Sequence, residues 1–104
     1  MPPQSIYIIS GEFKVKNGYR NELVEMSLEL IPLSVQEAGC ISYSFLEDQA
    51  RPGYFLFFER WKTREDIAQH FEKPYFTAFA NAFPHMIDGD ATIEIYKIAS
   101  TETV

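Results

Sequence analysis

Residues 54–61, Tyr-Phe-Leu-Phe-Phe-Glu-Arg-Trp, form a run that alternation turns into a strand with two apolar faces. Side chains alternate across a strand, so Phe55 and Phe57 point one way while Tyr54, Leu56 and Phe58 point the other. A sheet covered on one side only is apolar at alternate positions; this run asks for cover on both. Just upstream, Asp48-Gln-Ala-Arg-Pro-Gly53 carries turn chemistry, and Ile41–Glu47 before it is a second strand-like run. The two runs are expected to pair antiparallel. Downstream, Thr63 followed by Asp66 resembles a capping box with Asp in place of Glu, opening a helix over residues 64–72. Pro74 closes that helix and can start a second helical piece with Phe76, Phe79, Ala80 and Phe83 on one face.

Near the N-terminus, residues 6–15 alternate and are rich in β-branched and aromatic residues, which predicts a first strand. Asn17-Gly18 is a turn, and Leu23, Met26 and Leu30 fall at helical spacing in a long helix over residues 19–38. Pro32 inside it predicts a kink or a tightened turn near residues 28–31, and Gly39 is read as the left-handed residue that ends it. Asp88-Gly89-Asp90 is a turn before a last alternating strand over residues 91–98. The order β-α-β-β-α-β is the split βαβ, ferredoxin-like arrangement: an α+β fold with a four-stranded antiparallel sheet and helices on one face. The second apolar face of residues 54–61 then predicts a homodimer in which another subunit covers it. The alternative is that polar residues on the neighbouring strands dilute this face.

With 104 residues, 46% of them hydrophobic, the chain is expected to be one domain over residues 1–104, its core in residues 6–98 and its tail, 99–104, frayed. A net charge of −6 with dispersed Lys and Arg argues against nucleic acid as a partner. The apolar runs are strand-sized, short of the roughly 20 residues that a membrane span needs, and the first ten residues lack a signal-peptide pattern. The single Cys40 suits a reducing, cytoplasmic location.

His70 follows Ile67 by one helical turn and precedes Phe71, so it borders the apolar face of its helix. Its imidazole can move a proton at neutral pH, or it can be a core histidine with one satisfied hydrogen bond. Trp61 can wall a pocket or simply fill the core. Glu59 shares a strand face with Trp61 and Phe57; buried, it needs a partner or a raised pKa, and otherwise it is a strand-edge charge. Tyr43 is one of several tyrosines able to offer a phenol to a ligand. His85, after Pro84, is expected in an exposed loop. Two distant histidines and one cysteine predict no metal site, and no phosphate loop, dinucleotide fingerprint or nucleophile elbow is present. Cys40 reads as a small buried apolar residue rather than an activated thiolate.

Gly39-Cys40, Tyr43, Phe57-Phe-Glu-Arg-Trp61, His70, Pro74 and Phe76, in this order and on this succession of elements, resemble the antibiotic biosynthesis monooxygenase (ABM) domain family over residues 6–98. The resemblance implies a dimeric α/β barrel with a small-molecule pocket between sheet and helices in each subunit. It also implies a quinol-monooxygenase-like activity: a small aromatic substrate oxidised by O2 as co-substrate, with no cofactor and no metal. Carried over to this sequence, it places His70 as proton acceptor or anion-holding donor and Trp61 in the pocket lining, with Tyr43 and Glu59 as further catalytic candidates. The substrate-binding walls would be Phe57, Phe71, Phe76 and Phe79. The family's haem-degrading branch does not fit, because its axial histidine would fall at about Ala80 and its asparagine near Gly11. The same superfamily holds isomerases of small oxygenated metabolites and non-catalytic binding proteins, so these remain alternative functions.

Overall fold

The computed structural model describes residues 6–104, so the first five residues of the expected domain lie outside the described part. The chain runs β1 (Tyr7–Lys14), α1 (Arg20–Ser34), β2 (Cys40–Glu47), β3 (Tyr54–Trp61), α2 (Arg64–Phe71), α3 (Pro74–Met86) and β4 (Thr92–Lys97). The strands form one antiparallel sheet in the order β2-β3-β1-β4, the expected ferredoxin-like topology. Beyond Lys97 the chain carries no further helix or strand.

The two faces of β3 divide as the alternation requires. Phe55, Phe57, Glu59 and Trp61 are buried beneath the helices, while Tyr54, Leu56, Phe58 and Arg60 are half-buried on the other side. Cross-strand register brings Ile9, Gly11 and Phe13 of β1 and Tyr43 and Phe45 of β2 onto the helix-covered face. Phe13 stacks on Phe55 and Phe57, and meets Phe83 of α3 edge-on at 4.8 Å. The opposite face mixes Ile8, Leu46, Leu56 and Phe58 with Ser10, Glu12, Ser42 and Ser44. Leu46 there is 52% exposed. β4, at the sheet edge, has no buried residue at all; Ile93 is 61% exposed although it shares the face of Gly11.

Three local expectations change. α1 ends at Ser34 rather than at residue 38, passing through Pro32 and closing two residues later. The carbonyl that Pro32 cannot serve belongs to Leu28, an exposed residue. Gly39 is neither a helix cap nor left-handed, since positive φ occurs only at Gly18, Gly53 and Gly89 among the described residues. A Cβ at Gly39 would instead lie 2.1 Å from Cγ of Asp66, so glycine is required by close packing against the start of α2. His85 is exposed as expected, but in the last turn of α3 instead of a loop; its ring meets Tyr19 edge-on at 5.2 Å.

The capping reading holds in half of its detail. Thr63 accepts a hydrogen bond from the Asp66 backbone N–H at 3.0 Å, which satisfies one of the unpaired donors opening α2. The Thr63 hydroxyl donates to the Asp66 carboxyl at 2.7 Å, so the acid completes the pair through the side chain rather than through the backbone of residue 63.

Candidate functional site

Between α3 and the covered face of the sheet lies a cavity of about 240 Å³. Its walls follow from strand alternation and helix spacing: Phe57 rises from β3, Phe71 from the end of α2, and Phe76 and Phe79 from successive turns of α3. All the expected wall residues therefore meet in one place. Phe57 and Phe79 touch edge to face, with ring centres 5.7 Å apart. The polar groups reaching this space come from Tyr43 and Glu59, cross-strand neighbours on β2 and β3. No lysine or arginine lines it. A larger depression of about 540 Å³ sits at the far end of the sheet, but it is open and the two basic residues in its lining are already paired, Lys14 with Asp88 and Arg51 with Asp48.

Glu59 is 5% exposed. Its Oε1 accepts a hydrogen bond from the Trp61 indole N–H at 3.0 Å, which aims the carboxyl along the strand face. Burial pushes its pKa up to about 7, against the opposing help of the Trp61 N–H and the Tyr43 hydroxyl, with the charge of Glu37 adding to the rise. Burial, and then the proximity of Glu59, also pushes the Tyr43 phenol far above its usual range, so that it stays protonated as a donor.

His70 and Trp61, expected to touch the substrate, are wholly buried and do not line the cavity; they form the layer behind it. Trp61 and His70 lie with ring centres 4.6 Å apart, and Tyr43 meets both rings from the cavity side. His70 Nδ1 is 2.6 Å from the Glu37 carboxyl, which also accepts a hydrogen bond from the Tyr75 hydroxyl. The Nε2 atom of His70 has no partner among the described residues. Burial lowers the His70 pKa, outweighing the attraction of Glu37. A neutral ring with its proton on Nδ1 fits these surroundings, since the bare nitrogen then faces aromatic carbon instead of stranding an N–H.

Sequence reasoning missed Glu37, which lies in a segment read as helix and reaches His70 across 33 residues of chain. It also missed the far end of the cavity, where Gly11, Ala80 and Ala91 stand beside Phe83 and Ile93. A glycine inside a strand pattern is a signal of close approach and could have marked Gly11. Cys40 is half-buried, and burial together with the nearby Glu59 and Glu37 raises its thiol pKa to about 11, which keeps it an inert thiol. Among the described residues no group of three or more His, Cys, Asp or Glu is placed to hold a metal ion, and no helix is long and apolar enough to cross a membrane.

These features define a class: a ferredoxin-like α+β domain with a small-molecule-sized cavity between sheet and helices and a single carboxyl inside it. The chain belongs to the antibiotic biosynthesis monooxygenase family, whose model matches residues 6–82. An uncharacterized protein of Synechocystis sp. is 42% identical over 97 residues, a stretch that covers 93% of this chain but 66% of that protein's length. Among solved structures, Rv0793 of Mycobacterium tuberculosis superposes with a TM-score of 0.88 at 18% identity, covering 95% of this chain and all of the other. A conserved protein of Methanosarcina mazei Go1 gives 0.86 at 22% identity, covering 90% and 93% of the two chains. A structure described as an antibiotic biosynthesis monooxygenase gives 0.81 at 24% identity, covering 91% and 99%. At these identities the likeness establishes the fold.

Proposed function

We propose that the protein oxygenates a small hydroxylated aromatic in this cavity with O2 as co-substrate and no resident cofactor, using Glu59 as the proton acceptor. The observation that carries this reading is one carboxyl, held near pKa 7, at the polar end of an otherwise apolar cavity. A base poised near the working pH is the most effective acceptor of a proton from a bound hydroxyl or activated C–H group. Tyr43 donates toward the same end, and the phenylalanine walls exclude water from the anion that forms.

The chemistry balances without a further reductant. Once deprotonated, a quinol-like substrate gives electrons to O2, forms a C–O bond and loses water, so that one oxygen atom stays on the ring and the other leaves as H2O. The substrate supplies all four electrons and both protons that the two oxygen atoms take up. In this scheme Trp61 is a positioning residue, holding Glu59 through its indole N–H, and His70 supports the Trp61 and Tyr43 rings from behind.

The same reading includes a homodimer formed through the uncovered sheet face, where Leu46, Leu56 and Phe58 lie beyond the reach of the helices. Phe58→Asp is expected to convert a dimer to a monomer in light-scattering measurements; an unchanged mass would place the interface elsewhere.

Oxygen uptake with a panel of benzene and naphthalene quinols tests the activity. Uptake above autoxidation that yields an oxygenated product and is lost in Glu59→Gln supports the oxygenase. Equal turnover under argon points to an isomerase, and ligand binding without product to a binding protein.

A further inference from the structure

Of the five glycines in the chain, Gly11 is the one that neither backbone nor packing requires. Gly18, Gly53 and Gly89 have φ of 87°, 91° and 79°, a region that side chains disfavour. Gly39 has Asp66 where a Cβ would stand. Gly11 has ordinary strand geometry, and a Cβ there would meet Cγ1 of Ile93 and Cβ of Phe57 at 3.8 Å, a normal contact distance. Glycine inside a strand weakens it and leaves nothing to pack, so its presence on β1, between β3 and β4, calls for another reason. That reason lies above it: the volume that a side chain would fill is part of the cavity.

We infer that Gly11 sets the length of the cavity and that the ligand is a neutral, flat molecule of two fused rings with its hydroxyl at Glu59. The inference rests on the reading of this cavity as the substrate site. An apolar cavity of about 150 Å³ holds a single benzene ring, whereas this one measures about 240 Å³. Gly11 pairs with Phe57, two positions along β3 from Glu59 and so about 7 Å further along the sheet. Phe57 and Gly11 stand side by side at that level, so a hydroxyl at Glu59 brings the far ring beside Phe57 and into the space above Gly11, with Ala80 and Ala91 close by. With no basic residue in the lining, a carboxylated analogue finds no counter-ion there.

Calorimetric titration with 1-naphthol and phenol, neither of which needs to turn over, tests this on wild type, Gly11→Ala and Gly11→Val. Wild type is expected to bind 1-naphthol about tenfold or more tighter than phenol. Gly11→Val, a strand-favouring change, should weaken 1-naphthol by about tenfold or more while phenol stays within about threefold. Gly11→Ala should fall between, and neither variant should melt below wild type, a combination of kept stability and lost size range that a purely structural glycine would not produce. Unchanged 1-naphthol affinity in Gly11→Val, or equal loss of both ligands in Gly11→Ala, overturns the inference while leaving the site in place. Wild type that binds neither molecule overturns the reading of the site and this inference with it.

Discussion

His70 and Glu59 are buried almost equally, at 0% and 5% exposure, and burial pushes each toward its neutral form, yet they stand in different relations to empty space. Glu59 faces the cavity with one oxygen held by Trp61. His70 has one nitrogen committed to Glu37 and the other shut against aromatic rings. A perturbed pKa marks both groups as candidates; access to a bound molecule separates them. Removing each group in turn shows which loss appears in chemistry and which in folding.

The largest effect is expected in turnover. Glu59→Gln keeps an oxygen to accept from the Trp61 indole but cannot take up a proton, so turnover of a quinol substrate should fall by about 10²- to 10⁴-fold. Stopped-flow or electrode measurement of O2 uptake checks it. His70→Gln should retain turnover to within about tenfold; if it instead abolished turnover with ligand affinity and melting temperature intact, His70 would be the acid/base group and its ring would have to move to reach the substrate.

Next comes stability. His70→Ala removes a fully buried side chain and leaves the Glu37 carboxyl, 10% exposed, with one partner fewer. Urea unfolding should show a loss of about 3 kcal/mol or more, from the cavity that the ring leaves together with the hydrogen bond that the Glu37 carboxyl loses. Glu59→Gln should show no such loss, which sets the two residues apart a second time.

The pH dependence sharpens the contrast because the two groups act in opposite directions. In the unfolded chain Glu59 ionises from its ordinary value of 4.5, and in the fold only near 7. The native state therefore holds the extra proton between these values, and stability falls as pH rises from about 4.5 to 7, by about 3 kcal/mol in all. His70 has its folded pKa below the ordinary 6.5, so its contribution is lost as pH falls below that value. Urea titrations across this range should show Glu59→Gln losing the decline toward neutral pH while the acid-side loss from His70 remains.

What the sequence made legible was whatever depends on near neighbours. The two-faced run at residues 54–61, the Thr63 and Asp66 pair and Pro74 placed strands and helices, and the family resemblance named Phe57, Phe71, Phe76 and Phe79 as walls, which the fold brings around one space. Contacts distant along the chain were out of reach. Gly39 looked like a helix cap because the only neighbour visible in sequence was the helix before it, while the group that demands glycine is Asp66. Helical spacing left His70 open between chemistry and packing, and the family resemblance placed it at the substrate; spacing gives a side chain's face and not what stands in front of it, and Tyr43, from another strand, is what meets it on the cavity side.

The smallest effect concerns the third member of the His70 cluster. Tyr75, at the start of α3, donates its hydroxyl to the same Glu37 oxygen that faces His70, and lies 3.3 Å from the Leu33 carbonyl at the end of α1. It thereby ties α3, the segment after α1 and α2 together behind the cavity wall. Burial, and then Glu37, raises its phenol pKa, so the group remains a donor throughout the neutral range. Tyr75→Phe keeps the ring and removes only the hydroxyl, leaving Glu37 still held by His70. Unfolding free energy should drop by about 1 kcal/mol, the net worth of one such hydrogen bond. Combined with His70→Ala, the two losses should fail to add, because both act on one Glu37 carboxyl. A double variant with strictly additive losses would mean that the two residues hold Glu37 independently, and the cluster would then be two separate contacts rather than one support for the Tyr43 and Trp61 layer.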